Sequence, residues 1–415
     1  MHKRHGGLHL KRSLSSFFLI LFFSFASSVS FAQKVSTREH PRGHDRLLKS
    51  ESKQINYKDR GWALDLVLKQ RADYFENALE NSFRYRLEVI PDFKLKISDY
   101  FFVDASLGLG ATVGSVQTRF GDLRANNFIR LRGARFFFRT PGVKKSFWSQ
   151  LSLGAISQRD FLKGFSILMN RRALPGLEQK ILFRNFYGSY GSYGLDLRLF
   201  EGVPASESLN LSFRERENTP FYYNGRLELF LKSQSPKFGY RFSVHAGIFD
   251  FSTLPSVIAD ESRLYGNTVQ GFGPAAEFVF DYKGWYGGWR MLLSGKRYEF
   301  APSVQILTNT EAPGGQNQGQ MAMATLRLHD QNLNTWTIEP FSFFVEQDAS
   351  VASYNSTVLG HNNREGFGMN LALNIKRRGL KLILNYVSSD VIEPDGDLQL
   401  PSDYYGLQLE YKNAL

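Results

Sequence analysis

From Trp62 to its C-terminus the chain repeats one pattern, in which about ten residues alternate apolar and polar before a turn or polar loop. Leu209, Leu211 and Phe213 alternate with Asn210 and Ser212; Leu227, Leu229 and Leu231 alternate with Glu228 and Phe230; Tyr240 to Ala246 repeats the rhythm. Successive side chains of a strand point to opposite faces, so this period describes a strand with one face in an apolar medium and the other in water.

The first 32 residues read as an export signal. A basic leader (Lys3, Arg4, Lys11, Arg12) precedes an apolar stretch from Phe17 to Phe25, and Ser30-Phe31-Ala32 supplies a small-x-small cleavage site. That stretch is far shorter than the roughly 20 residues a spanning helix needs. The mature chain then begins near Gln33, and its 47 Lys/Arg against 39 Asp/Glu leave it at +8, compared with +12 for the whole chain. Export removes nucleic acid as a partner. It leaves anionic solutes and a lipopolysaccharide surface as partners for a basic protein. With no cysteine there is no disulfide, thiolate metal site or lipidated N-terminal cysteine.

No mature segment has 18 consecutive apolar residues, which excludes spanning by helices. A mean hydropathy of −0.30 is too polar for a helical membrane protein but suits a barrel, which presents only alternate residues to lipid. The fold class expected is all-β: a transmembrane antiparallel up-and-down β-barrel of about sixteen strands, with fourteen to eighteen open. Residues 1–32 are the signal peptide, 33–60 a polar arm on the periplasmic side, and 61–415 the barrel. Strands are expected to begin near Trp62, Asn81, Phe93, Phe128, Phe147, Ile181, Ser208, Gly225, Gly239, Pro274, Trp285, Gln320, Thr335, Gly366, Leu380 and Asp403. Short turns fall at 90–92, 141–146, 201–207, 233–238, 283–284, 330–334 and 377–378, with longer loops mostly between them. Parity predicts two-residue hairpins at Lys283-Gly284, with Tyr282 and Trp285 outward, and at Arg377-Arg378, with Ile375 opposite Leu380. Trp285, Tyr286 and Trp289 read as one aromatic girdle, and Tyr222-Tyr223 with Tyr404-Tyr405 as the opposite one.

On these features the chain resembles the bacterial outer-membrane β-barrel proteins, and among them the porin-like channels. The resemblance covers residues 62–415 as a pattern. Its sharpest element is in the last strand, where Tyr404, Gly406, Leu409 and Tyr411 fit the C-terminal assembly signal of such barrels. The family usually ends on Phe, whereas this chain continues through Lys412-Asn413-Ala414-Leu415. The resemblance implies an outer-membrane location, barrel-assembly machinery and membrane lipid as partners, and small hydrophilic solutes as cargo. It also points to a homo-oligomer, often a trimer.

The lumen-facing positions of the first strands are basic. On the expected second and third strands, Arg84, Arg86 and Glu88, then Lys94 and Lys96, turn inward. A turn at Ile90-Pro91-Asp92 would set Glu88 against Lys94 and Arg86 against Lys96. On the fourth strand Arg130 and Arg132 face in. A bulge at Gly133 would flip the phase and keep Arg135 and Arg139 inward, with Phe136 and Phe138 toward lipid. Together these residues form a basic strip suited to concentrating anions, against the background that lumen walls are polar whatever the cargo. Signals for catalysis are poor. His245 faces inward beside Ser243, but no third partner completes a nucleophile, base and orienter. No pair of histidines has metal-ligand spacing, Asp348 and Asp395-Gly396-Asp397 read as solvated loop acids, and no cofactor is implied. The function expected is a non-enzymatic channel passing small hydrophilic solutes by diffusion, with anion preference. The alternatives are a surface-binding or adhesion scaffold and a barrel enzyme acting on lipid or polysaccharide.

Overall fold

The computed structural model describes residues 61–77, 81–114, 127–140, 146–158, 162, 167–169, 173–187, 191–204, 220–234, 238–331, 334–355, 359–393 and 399–414. The expected leader (1–32), the arm (33–60), the strand expected from Ser208 and the Asp395–Asp397 loop lie outside them.

Sixteen antiparallel strands close into one barrel. In chain order they are β1 (Trp62–Asn77), β2 (Asn81–Lys96), β3 (Phe101–Gly114), β4 (Asn127–Arg139), β5 (Phe147–Ser157), β6 (Ala173–Tyr187), β7 (Gly191–Gly202), β8 (Phe221–Gln234) and β9 (Gly239–Ser252), then β12 (Tyr282–Ser294), β13 (Tyr298–Asn309), β14 (Gln318–His329), β15 (Thr335–Val345), β16 (Arg364–Ile375), β17 (Leu380–Val391) and β18 (Ser402–Ala414). Between β9 and β12 lie helix α1 (Ser256–Arg263) and a small ribbon of β10 (Val269–Gln270) and β11 (Glu277–Phe278). Each barrel strand meets the roughly 9–11 tilted residues that cross a bilayer. Chain neighbours pair throughout, and β1 pairs with β18 from Asp65↔Ala414 to Asn77↔Ser402, so no strand edge is left open.

Alternation sets the two faces. Leu227 and Leu229 are outward at 40% and 55% exposure, while their neighbours Arg226, Glu228 and Phe230 are buried inside. Aromatic side chains girdle both ends. At the end where β1 begins and β18 finishes, here the terminal end, Phe101 packs on Phe138 and Phe147 on Phe183, at 5.3 and 5.0 Å between ring centres. At the opposite, loop end, Tyr74, Tyr405, Tyr386 and Phe367 follow one another across β1, β18, β17 and β16. The strand bounds leave seven short connections at the terminal end, at 97–100, 140–146, 188–190, 235–238, 295–297, 330–334 and 376–379, and eight connections at the loop end.

The strand number agrees with the sequence expectation, but several boundaries do not. Ile90-Pro91-Asp92 is no turn. β2 runs through it, with Leu66 opposite Pro91, and the pairing with β3 skips Ile90 and Pro91, where the missing N–H has no bond to make. Phe93 therefore continues β2, Glu88 does not face Lys94, and Arg86 faces Arg71 and Thr112 rather than Lys96. Ile181 lies inside β6, and 201–202 ends β7. Pro274 opens no strand; it sits in a 3-10 turn, Gly273–Ala275. Lys283-Gly284 lies within β12, and Tyr282 is inward and fully buried. β13 has no counterpart among the expected strands, although Tyr298, Phe300, Val304 and Ile306 carry the two-residue period. Of the expected girdle residues Tyr222, Tyr286 and Tyr404 point inward and are buried, and Trp285 and Tyr405 lie at the same end rather than opposite ends. Around Arg377-Arg378 the register is as expected, Ile375↔Leu380 and Leu373↔Leu382, with Gly379 at φ 63° completing the turn. The residues after Tyr411 are not an extension, because Lys412–Ala414 belong to β18 and pair with β1.

Leu229 stands mid-strand on the outer face. Leu229→Arg is expected to destabilise the folded barrel in lipid by about 2–4 kcal/mol, the cost of a lipid-facing cation at mid-membrane. The loss of the heat-modifiable band on unheated gels measures it.

Candidate functional site

The lumen wall has two zones. Toward the loop end β9, β12 and β15 turn apolar side chains inward, including Phe249, Phe251, Tyr282, Phe341, Phe343 and Val345, all buried, whereas β16–β18 present Arg364, Ser389 and Ser402 there. Water would not wet such a wall, and protein covers it instead. Ile167–Met169, from the β5–β6 connection, pack in one cluster with Val257 and Ile258 of α1 and Val351 and Tyr354 of the β15–β16 connection. Three connections thus form a cap inside the mouth.

Asparagines hold the cap's irregular backbone outside α1 and the β10–β11 ribbon. Asn267 donates to the carbonyls of Gln347 and Ser350 and accepts from the Ala352 N–H at 2.7 Å. Asn362 also donates to the Ser350 carbonyl, at 2.5 Å. The Asn309 amide reaches the carbonyls of Asp281 and Asp348. His361 stacks on Tyr265 at 4.0 Å and meets the Ala352 carbonyl through Nδ1. At the centre, fully buried Asp348 accepts from the Thr268 N–H and hydroxyl, the Tyr282 hydroxyl and the Asn267 amide. It is therefore not a solvated loop acid, as its sequence context suggests. Burial pushes its carboxyl above the ordinary carboxylate range, outweighing those donors, which favour the charged form.

Along β1–β4 the wall is charged. Arg84 meets Asp73 at 2.8 Å; Lys94 meets Asp92 and Asp65; Lys96 meets Asp99 at 2.5 Å. Arg132 makes a two-pronged contact with Glu88, and Arg135 contacts Asp104 and Glu178. Arg139 lies over the Phe102 ring at 4.8 Å, and Arg86 is buried opposite Arg71. Arg130 shares the register position of Gly108. The β3–β4 register shifts between Ser106 and Leu107, which is the bulge beside Gly133, and Phe136 and Phe138 are exposed outside. The strip residues with described side chains thus come together on β2–β4, but acids interleave them, and the sequence pattern carried no sign of Asp73, Asp104 or Glu178 as their partners.

A different cation stands apart. Arg290 occupies an inward position on β12, opposite Ser243 and Ser303, and is exposed. It makes no hydrogen bond among the described residues, and Arg327, Arg241, Glu339 and Glu228 are the charged groups around it. His245 lies opposite Glu228 and Gly288, and no group that could hold a metal occurs among the described residues.

The signal residues of the last strand divide by face. Tyr404 and Gly406 point inward, and Leu409 and Tyr411 lie opposite Leu382 and Leu380 on the outer face. Gly406 faces Asp73, and a Cβ there would meet the Tyr404 hydroxyl at 2.5 Å. The bare glycine lets that phenol reach Asp73, which also takes Arg71 and Arg84. One carboxylate thus ties the last strand to the first two.

No family model and no curated protein matches the sequence. Solved outer-membrane structures do match. Pseudomonas putida OprB, in its high-pH structure, is 10% identical over 88% of this chain and 97% of its own, with a TM-score of 0.51. Vibrio cholerae OmpT lacking loop L8 is 8% identical over 85% and 100%, with a TM-score of 0.45. Salmonella typhi OmpF in complex with daunomycin is 10% identical over 86% and 99%, with a TM-score of 0.44. At such identities OprB shows a shared fold.

Two outcomes are expected. Asp73→Ala leaves Arg84 buried without its carboxylate and should lower barrel stability by about 3–5 kcal/mol in urea unfolding. A carboxyl whose folded pKa is raised contributes most below its unfolded value and loses that contribution as pH rises through the folded one. Exchange protection of amides 347–352, corrected for intrinsic rates, should therefore be greatest below pH 3.8 and fall above it, and Asp348→Asn should flatten that dependence.

Proposed function

We propose that this protein is a porin-like channel of the bacterial outer membrane, passing small hydrophilic solutes by diffusion with a preference for anions. Its long connections face outward and its termini the periplasm. A closed barrel of this strand number encloses room for water, and the alternating charged wall below the cap suits a hydrated path. Assembly machinery reading Tyr404, Gly406, Leu409 and Tyr411 belongs to the same reading, as does lipopolysaccharide around the loop end.

The observation that carries the anion preference is Arg290. Its guanidinium is exposed to the lumen and makes no ion pair among the described residues, whereas the nearby Arg241 and Arg327 pair with Glu228 and Glu299, so it is the charge left to attract passing carboxylates and phosphates. The strip of Arg84, Arg86, Lys94, Lys96, Arg130, Arg132, Arg135 and Arg139 contributes less than its sequence suggests, because acids match much of it at short range.

The cap favours one further reading, a closed barrel whose outer loops bind a surface, since Ile167 and Val351 are wholly buried in its mouth. Recording in planar bilayers separates the two. The channel reading expects steady conductance and an anion-favouring reversal potential under a salt gradient. Arg290→Glu should move that potential toward cations, and deletion of 347–355 should raise conductance. Silence from wild type and deletion alike leaves the scaffold.

A further inference from the structure

Charge is divided unequally between the two ends of the barrel. The seven short turns of the terminal end carry eight Lys/Arg against two Asp, whereas the eight connections of the loop end carry nine Lys/Arg against sixteen Asp/Glu. The two Asp of the terminal end are both engaged, Asp99 by Lys96 and Asp330 by the N–H and amide of Asn334. The five described cations are not. Lys296 and Arg297 on the β12–β13 turn, and Lys376, Arg377 and Arg378 on the β16–β17 turn, are exposed, and their side chains make no hydrogen bond or ion pair among the described residues.

Their depth identifies the medium they meet. Tyr298, next to Arg297, is outward at 45% exposure, and Trp336 is outward at 53% on the hairpin lying between the two turns. Amphipathic rings mark the boundary between hydrocarbon and headgroups. Lys296 and Arg297 lie one or two residues beyond Tyr298, and Lys376 three beyond Leu373, the partner of Trp336, so these cations stand in the headgroup layer. On the loop end the outward rim is of the opposite sign, with Glu76 directly opposite Asp403 and Glu365 opposite Asp390.

We propose that the terminal rim binds the headgroups of anionic phospholipids, through Lys296 and Arg297 on one turn and Lys376, Arg377 and Arg378 on the other. The site rests on the reading that these turns lie at the periplasmic leaflet. It selects phosphatidylglycerol-type lipids over zwitterionic ones, because five solvated cations gain from a net negative headgroup what a neutral one cannot return. Bound lipid also screens repulsion within the Lys376-Arg377-Arg378 run.

The test uses the full chain folded in mixed phosphatidylethanolamine and phosphatidylglycerol, with retained lipid counted by native mass spectrometry. Wild type should keep phosphatidylglycerol preferentially, and a variant carrying Lys296→Gln, Arg297→Gln, Lys376→Gln, Arg377→Gln and Arg378→Gln should lose about tenfold of that preference, on the attraction of each cation to an anionic leaflet. Heat-shifted migration confirms that the variant is folded; if it is not, the Arg377→Gln/Arg378→Gln pair and the salt dependence of wild type provide the same readout. Equal retention by wild type and variant overturns the proposal. So does loss of binding to isolated peptidoglycan without loss of lipid preference. Conductance of the same variant is read separately, so a silent pore that still selects phosphatidylglycerol sinks the channel reading and leaves the lipid site standing.

Discussion

Hydrocarbon offers no hydrogen bonds, so every backbone N–H and C=O that crosses it must find its partner within the protein. The continuous ladder between β1 and β18 meets this demand, because an open edge there would place a row of unpaired groups in lipid. Closure explains why the last strand runs on to Ala414 and why its inner face is tied so firmly. The Tyr404 hydroxyl and two arginines converge on Asp73, and Lys412 reaches Asp65 at 2.8 Å on the same seam. A carboxylate buried so deeply persists because it is fully paired.

Once the wall is closed, its interior has to be either wetted or filled. Both happen, at different heights. Charged rows beyond the cap alternate sign over short distances, as where Glu228 receives Arg226 from its own strand and Arg241 from the next. Toward the loop end the inward side chains of β9, β12 and β15 are aromatic and aliphatic, and the loops fold in and bury Ile167, Ile258, Val351 and Tyr354 against them. The cost of burying loop backbone is met by side-chain amides, chiefly Asn267, Asn309 and Asn362, in place of a strand partner.

Much of the wall was legible because its rule is local. The outward Phe83, Tyr85 and Leu87, the inward Arg84, Arg86 and Glu88, the phase change at Gly133 and the Ile375↔Leu380 hairpin all follow from a period of two. What misled was punctuation. Ile90-Pro91-Asp92 and Lys283-Gly284 have turn composition yet lie within strands, while the true turns at 97–100 and 295–297 contain a tyrosine or a basic pair. A proline is tolerated where a neighbouring strand asks for no N–H, and that is a property of the neighbour.

The sequence by itself determined the class of wall and its two alternating faces, because alternation is imposed residue by residue along each strand, but not the facing of every aromatic, since Tyr222, Tyr282, Tyr286 and Tyr404 turn inward. Tertiary structure alone decided the cap and the partners of the lumen charges. Asp348 meets Thr268 across 80 positions, and Asp73 meets Tyr404 across 331. Such contacts depend on closure and on where each loop folds, and no local period records either.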